Sequence, residues 1–304
     1  MQICGQIAPF GVHFLNSPDF PVALEEATLT TYPNEIGGSV HQYATDYLIL
    51  DNLDGVRALD IRLDAPAEVG LISESPDQGE RFWYSNRSDV SDTTLTHAFD
   101  LSTVSTATLN YRLWYHTELN WDYAYIMVST DDGTTWNILE TNYTTTNDPH
   151  GASYGAGYNG VSGGGMSPVW IDETVSLDAY AGQPILVRFE MITDDGINQP
   201  GIAIDDVAVP EIDYFSDFES DDGGWQAAGW LLTDNRLPQE LWLQVGYETA
   251  GDVEVTRWRS QGGGAWQLEL AEGTQQATLA ISAFAPVTTI PMPYSLKITE
   301  VSTE

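Results

Sequence analysis

Cysteine and lysine are almost missing from this chain of 304 residues, which contains one of each, Cys4 and Lys297. A single cysteine cannot form an intrachain disulfide, and it cannot supply the several thiolates of a cysteine-rich zinc site. No run of about 18 apolar residues is present, so the sequence predicts no membrane-spanning helix. The opening residues lack the basic start and long apolar core of a signal peptide, so a secreted protein of this sequence would carry its signal upstream.

Basic residues are scarce in general: 10 lysines and arginines stand against 45 aspartates and glutamates, and the formal net charge is −35. Such a charge repels nucleic-acid phosphates and anionic membrane surfaces, so neither is an expected partner. Calcium, by contrast, takes about six to eight oxygen ligands, and carboxylates supply them well. The composition therefore leaves two interpretations, a cation-binding protein or a protein with a solvated acidic surface.

Helical periodicity is also nearly absent, and alternation of apolar and polar residues takes its place. The clearest example is a run in which Leu109, Tyr111, Leu113 and Tyr115 alternate with Asn110, Arg112 and Trp114. Such alternation is typical of a half-buried antiparallel strand. Such runs with polar turns between them predict an all-β fold of packed sheets. The predicted strands are Gln42–Leu50, Val56–Leu63, Ala107–Tyr115, Tyr123–Ser129, Ile185–Ile192, Ile202–Val209, Leu241–Val245, Val253–Arg259, Trp266–Leu270 and Ala277–Ser282.

Two segments interrupt this pattern. Residues 142–168 are rich in glycine, asparagine, serine and tyrosine, and they form either a binding loop or a cross-sheet connection. Residues 210–224 begin with proline and continue as an acidic, glycine-containing run, which predicts a boundary between two modules. Val56–Ile72 could belong to either module. We favour pairing with the C-terminal module, which would make the middle module an insertion.

The segment Ser129–Trp136 fits the pattern S-x-D-x-G-x-T-W, known as the Asp-box. Each of its defining residues has a role in a β-hairpin: the Asp131 carboxylate can accept turn N–H groups, Gly133 can adopt positive φ, and Trp136 can pack beneath the turn. The pattern therefore predicts a hairpin and assigns no function.

Acidic pairs recur at strand ends and turns, and one of them interrupts an apolar strand. Asp205 and Asp206 lie between Ile204 and Val207. A carboxylate buried there must be paired or metal-bound. The sequence therefore predicts a calcium site in which Asp205 or Asp206 acts with the segment that carries Asp89 and Asp92. The alternative is a bend or bulge that exposes both carboxylates.

Motifs for catalysis are missing. None of the five histidines belongs to an H-E-x-x-H helix motif, and the sequence contains neither a G-x-S-x-G elbow nor a Walker-type phosphate loop. His116 and Glu118 form a strand-edge polar pair, which is two ligands short of a tetrahedral zinc site. A glycosidase with paired carboxylates is the last-ranked catalytic alternative. We therefore assign no catalytic residue and no organic cofactor.

Seven blocks of the sequence share features with one protein family. They are Val40–Tyr47, Arg81–Ser102, Asn120–Trp136, Tyr180–Gln183, Phe189–Ile212, Phe218–Trp230 and Ala283–Ile298. Together they resemble secreted immune inhibitor A-like metallopeptidases. Most of them are similar to the MAM-like jelly roll that follows the catalytic domain in that family, whereas the first resembles the connection after the peptidase domain and the last resembles the terminal β-sandwich.

The resemblance implies an all-β chain in which a jelly-roll sandwich is followed by a smaller immunoglobulin- or fibronectin-like β-sandwich. It also predicts the domain limits: residues 1–38 as a remnant or linker after a peptidase domain, 39–73 as connecting strands that could join the C-terminal sandwich, 74–212 as the MAM-like jelly roll and 213–304 as the C-terminal sandwich.

The family's zinc-binding H-E-x-x-H has no counterpart here, so the resemblance implies a non-catalytic accessory region of a secreted zinc metalloendopeptidase. Its expected partner is an upstream peptidase domain, which would hold the zinc, and its expected location is extracellular. By analogy the resemblance also supports calcium at Asp89, Asp92, Asp205 and Asp206. The alternative is a stand-alone extracellular module that binds glycans or proteins in a calcium-dependent way.

Overall fold

The chain is almost entirely β-structure, which confirms the predicted class. The computed structural model describes residues 26–76, 78–249 and 252–301. Within these ranges the helices are 3₁₀ turns of three residues, so none is long enough to cross a bilayer. The chain divides into two compact units. One is Ile72–Asn235, which we call the jelly-roll unit; the described residues of the other lie within Met1–Leu71 and Arg236–Glu304, and we call it the split sandwich.

The split sandwich draws its strands from both ends of the chain and packs two sheets around one apolar core. Strands are numbered in chain order. The sheets have the strand orders β1-β3-β21-β18-β19 and β2-β22-β4-β20, and β5 pairs with β17 beside them. The strands are β1 (Glu26–Leu29), β2 (Asn34–Val40), β3 (Thr45–Leu50), β4 (Ala58–Asp64), β5 (Glu68–Val69), β17 (Leu237–Pro238), β18 (Glu240–Thr249), β19 (Asp252–Gln261), β20 (Gly264–Glu269), β21 (Ala277–Phe284) and β22 (Met292–Glu300).

The jelly-roll unit consists of two antiparallel sheets that enclose a larger core rich in aromatic residues. Their strand orders are β10-β9-β12-β7-β15 and β11-β8-β13-β6-β16, and β14 pairs with β13. The strands are β6 (Phe82–Tyr84), β7 (Asp92–Asp100), β8 (Thr108–His116), β9 (Tyr123–Ser129), β10 (Asn137–Ile138), β11 (Ile171–Ser176), β12 (Pro184–Ile192), β13 (Gly201–Val209), β14 (Tyr214–Ser216), β15 (Gln226–Ala228) and β16 (Leu231–Thr233).

The jelly-roll unit is inserted into the split sandwich at one place. Val69 pairs with Leu237 where the chain leaves and re-enters the split sandwich. Three residues further in, the Ile72 N–H donates to Asn235 Oδ1 at 3.0 Å, and Asn235 Nδ2 donates back to the Ile72 carbonyl at 3.2 Å. The two ends of the inserted unit are therefore joined to each other by side-chain to backbone hydrogen bonds.

The observed division differs from the predicted boundary at residue 212. Residues 213–235 complete the jelly-roll unit, because β14 pairs with β13, β15 with β7 and β16 with β6. The acidic run after Pro210 is a surface turn between paired strands rather than a linker between modules. At the other boundary, β4 pairs with β20 and β22, so the segment around it belongs to the split sandwich.

Of the predicted linker 1–38, residues 1–25 lie outside the described residues. Residues 26–38 contribute β1 and most of β2, and β2 pairs with β22 over seven residues. A proline and two glycines in this stretch gave it the appearance of a linker. Its alternating burial is that of a strand.

The Asp-box forms the turn between β9 and β10. Asp131 Oδ1 accepts from the Thr135 N–H at 2.9 Å, and its other oxygen accepts from the Thr135 hydroxyl at 2.6 Å. Gly133 has a φ of 82°, and the Arg188 guanidinium lies 3.9 Å from the centre of the Trp136 ring. Each residue acts as the pattern predicts, and hydrogen bonding to the carboxylate lowers the pKa of Asp131 to about 2.

Candidate metal centre

Three acidic side chains meet at one end of the jelly-roll unit. Ile192, the last residue of β12, pairs with Tyr123, the first residue of β9. Because antiparallel neighbours run in opposite directions, the residues just beyond this pair, Asp194 and Asp122, lie side by side. Glu118 approaches from the turn between β8 and β9, and carboxylate oxygens of the three residues lie within 4.8 Å of one another.

The turn that carries Glu118 and Asp122 is fixed by hydrogen bonds to its backbone. The N–H groups of Trp121 and Asp122 both donate to the Glu118 carbonyl, at 3.2 and 3.1 Å. Asn159 donates from Nδ2 to the carbonyls of Glu118 and Asp122, at 3.2 and 2.9 Å. The side chains are thus presented from a preformed turn.

The electrostatics of this group favour a cation. Burial raises the pKa of Asp122 to about 6, although the Asp194 N–H donates to Asp122 Oδ1 at 2.9 Å and opposes that rise. Burial also raises the pKa of Glu118, and the charges of Asp194 and Asp89 add to it. In the described part of the chain, no basic side chain pairs with any of these three carboxylates. Three acids therefore share one small space without a compensating charge.

The donor set suits a hard cation. Glu118, Asp122 and Asp194 offer only oxygen, the ligand that calcium and magnesium prefer, and no nitrogen or sulfur donor belongs to the group. Calcium tolerates irregular geometry and fills its remaining positions with water. These residues could hold calcium through three carboxylates.

The predicted residue Asp89 lies at the same end of the unit but outside the group of three. Its Oδ1 accepts from Asn198 Nδ2 at 2.6 Å, and the adjacent Val90 N–H donates to the Asp194 carbonyl. Asp92 begins β7 opposite Ile192 and is exposed. Burial raises the pKa of Glu190, and the charge of Asp92 adds to that rise. Asp89 is therefore near the centre, whereas Asp92 faces a different acid.

Asp205 and Asp206 lie elsewhere, at a β-bulge in β13. The register to β8 shifts between Asp205 and Ala208, and Asp206 has a φ of 48°. The bulge buries Asp205, which is 1% exposed, and leaves Asp206 half-buried. The bulge that the sequence offers as the alternative is present, but it buries Asp205 instead of exposing both carboxylates.

The pKa of Asp205 is raised to about 8, chiefly by burial; the charges of Asp206 and Glu219 contribute to this rise, and Arg112 opposes it. Four residues of β13, or about 13 Å of strand, separate Asp205 from Gly201 at the end of the sheet where Asp89 lies. The structure therefore separates the predicted ligands: Asp89 lies near the group of three, Asp92 faces Glu190, and the Asp205–Asp206 pair lies at the β13 bulge. None of the four belongs to the group formed by Glu118, Asp122 and Asp194.

Sequence reasoning missed this group because Asp194 is 72 residues away from Asp122 along the chain. The sequence pairs Glu118 with His116 at a strand edge, and Asp194 is one of two adjacent aspartates. Only the pairing of β9 with β12 brings Asp122 next to Asp194. The available signal was positional: each of the three follows or precedes a strand within two residues.

Comparison with known proteins agrees with the fold. The family described as "Immune inhibitor A-like, MAM domain" matches residues 52–234. The chain belongs to this family. The match covers the whole jelly-roll unit except Asn235 and begins within the split sandwich, before β4.

Three bacterial proteins share parts of the sequence. The pre-pro-metalloprotease PrtV of Vibrio cholerae serotype O1 is 30% identical over 138 residues, which are 45% of this chain and 14% of PrtV. Immune inhibitor A of Bacillus thuringiensis subsp. alesti is 25% identical over 150 residues, or 49% of this chain and 20% of that protein. Bacillopeptidase F of Bacillus subtilis is 28% identical over 103 residues, which are 34% of this chain and 6% of that protein. The chain thus spans a fifth or less of each of these relatives.

Proposed function

We propose that this chain is a non-catalytic accessory region of a secreted zinc metalloendopeptidase. Membership of the immune inhibitor A-like MAM family carries the proposal, together with the small share of PrtV and immune inhibitor A that the match covers. In this role the chain supports the peptidase domain or holds substrate or surface ligands near it.

The chemistry of the chain supports an accessory role. The group of described residues with metal-compatible spacing contains carboxylates only, whereas a catalytic zinc in a protein is usually held with histidine nitrogen. Two other polar clusters of the described residues have structural roles: the Asp-box closes a hairpin, and Asn235 joins the ends of a unit. Catalysis in the parent protein would then depend on residues in another domain.

The reading frame upstream of Met1 provides the direct test. We expect an in-frame H-E-x-x-H, which belongs to the helix that binds zinc in such peptidases. An in-frame stop codon directly upstream would contradict the proposal. The purified chain should also leave casein intact after zinc is added, and cleavage that a chelator abolishes would reveal an active site in the chain itself.

Calcium is the cofactor we propose for the jelly-roll unit. Glu118, Asp122 and Asp194 support it through their mutual distances, their oxygen donors and the raised pKa of Asp122. This replaces the four-aspartate ligand set predicted from the sequence with a different set at the same end of the unit as Asp89. A calcium ion here would tie β8, β9 and β12 together at their ends, so its expected effect is on stability.

A further inference from the structure

The long loop 142–168 is an ordered part of the jelly-roll unit. Thr145 and Gly157 exchange two backbone hydrogen bonds, at 2.8 and 3.0 Å. Beneath the loop, Tyr123 Oη donates to the Asn147 carbonyl at 2.9 Å, and Tyr125 Oη accepts from the Tyr154 N–H at 3.0 Å. These tyrosines lie on the side of β9 opposite the core residues Ala124, Ile126 and Val128, and the loop buries them.

Two turns are joined at the surface of this loop. The ring of Trp121 stacks on the ring of His150, with centroids 4.2 Å apart and planes inclined by 5°. Next to that stack, Asn147 Nδ2 donates to Asn120 Oδ1 at 2.9 Å. The turn that carries Asn120 and Trp121 is therefore connected twice to the turn that carries Asn147 and His150. We call these four residues the aromatic-amide platform.

The platform exposes rings and unused hydrogen-bonding groups together. Trp121 is 39% exposed, although it is held in place by its stack on His150. Within the described chain, Asn120 Nδ2 and Asn147 Oδ1 make no hydrogen bond, so one donor and one acceptor remain beside the indole. An ordered aromatic face loses little conformational entropy when it binds a ligand.

We propose that the aromatic-amide platform binds a neutral polysaccharide. The apolar C–H face of a pyranose packs on an aromatic ring, and adjacent hydroxyls take one donor and one acceptor. The charge of the unit selects against acidic sugars, because residues 72–235 contain 27 acidic and four basic residues. This inference goes beyond the accessory role, since it gives the chain a ligand of its own.

Affinity electrophoresis in native gels tests the proposal with the intact chain. The probes are mixed-linkage β-glucan, galactomannan and xylan as neutral polysaccharides, with polygalacturonate as the acidic control. We expect at least one neutral polymer to retard the protein, and the acidic polymer to leave its mobility unchanged. Failure of all three neutral polymers, or equal retardation by polygalacturonate, would overturn the proposal.

Variants locate the binding. Trp121→Ala should weaken binding at least tenfold, whereas Trp242→Ala should bind like the parent chain, because Trp242 is also 39% exposed but lies on β18 of the split sandwich. Asn147→Ala removes the free acceptor and the hydrogen bond to Asn120 but keeps the indole, so it should weaken binding by a smaller factor. Thermal melting of each variant checks folding. Unchanged affinity in both Trp121→Ala and Asn147→Ala would show that the platform is not the site.

Discussion

At the level of single residues, the carboxyl group of Asp122 can bind a proton or contribute to binding a cation. Its pKa is raised to about 6, above the usual value for an aspartate. Between about pH 4 and about pH 6 the folded protein therefore holds a proton that the unfolded chain has released. Stability without a metal therefore falls as the pH rises from about 4 to about 6. At neutral pH the ionised group destabilises the fold unless a cation compensates for it.

Relative to the parent chain, the Asp122→Asn variant should be more stable without calcium and should lose that advantage when calcium is added. Without calcium at neutral pH, we expect the variant to be more stable by about 1 to 3 kcal/mol, because asparagine keeps the Oδ1 acceptor without the buried charge. With calcium, the parent chain should gain melting temperature and the variant should not. Asp195→Asn, at an exposed neighbouring acid, is the control. An equal rise in melting temperature with calcium for the parent chain and both variants would contradict the proposed site.

Asp205 offers a second pH-dependent effect, independent of calcium at the other centre. Its pKa is raised to about 8, so the loss of stability extends from about pH 4 to pH 8 as the pH rises. Asp205→Asn should remove that part of the loss and be more stable than the parent chain at about pH 9 by at least about 1 kcal/mol. Urea unfolding across this range measures it, with the exposed Asp132→Asn as control. If the stabilities of the parent chain and of Asp205→Asn fall in parallel as the pH rises, this pH dependence does not come from Asp205.

At the level of elements, one of the contacts that hold the loop 142–168 is made by a buried hydroxyl, that of Tyr158. Tyr158 Oη donates to Glu173 Oε2 at 3.3 Å, accepts from Thr141 Oγ1 at 3.3 Å and contacts Tyr111 Oη. Glu173 is 1% exposed. Removal of the Tyr158 hydroxyl would therefore leave the Glu173 carboxylate without this hydrogen bond in a place that water does not reach.

Tyr158→Phe should therefore destabilise the chain by about 1 to 3 kcal/mol, as expected when a buried acceptor is left unsatisfied. Chemical unfolding measures the loss. Tyr154→Phe serves as the matched control, since Tyr154 is 73% exposed on the same loop and its hydroxyl has no partner in the described chain. A Tyr158→Phe variant as stable as the control would show that the hydroxyl does not hold the loop.

Strands were predictable where apolar and polar residues alternate, and less so where threonine takes the exposed positions. All ten predicted strands are present, including the whole of β9. β7 was missed because Thr93, Thr94 and Thr96 leave only Leu95 and Phe99 as large buried residues. β22 was missed as a strand although its burial alternates, because Pro293 interrupts its pattern.

The candidate metal centre was less predictable than the strands for a physical reason. Alternation determines which face of a strand is buried, but it does not determine which strands are neighbours. The order β9-β12-β7 places Asp122 beside Asp194, and that order arises from tertiary packing. Asp89 lies at the same end of the unit as this group, whereas Asp205, which the sequence assigns to the same site because it interrupts an apolar strand, lies at the β13 bulge.

At the level of the whole molecule, the observed boundaries can be tested with fragments. Residues 72–235 should fold alone and unfold cooperatively in calorimetry, because the unit has its own core and its ends are joined through Ile72 and Asn235. The matched fragment 72–212 lacks β14 to β16 and the buried residues Phe218, Trp225 and Trp230, so we expect it not to fold stably. Equal stability of the two fragments would restore the boundary predicted at residue 212.

The pairing of β5 with β17 also determines how the chain responds to mechanical load. While β5 and β17 stay paired, Val69 and Leu237 hold the ends of the inserted unit close together. Tension applied to the two termini of the chain then passes through the split sandwich and bypasses the jelly-roll unit. The jelly-roll unit would be stretched only after the split sandwich had given way, so a ligand held on its surface would be shielded from pulling on the chain.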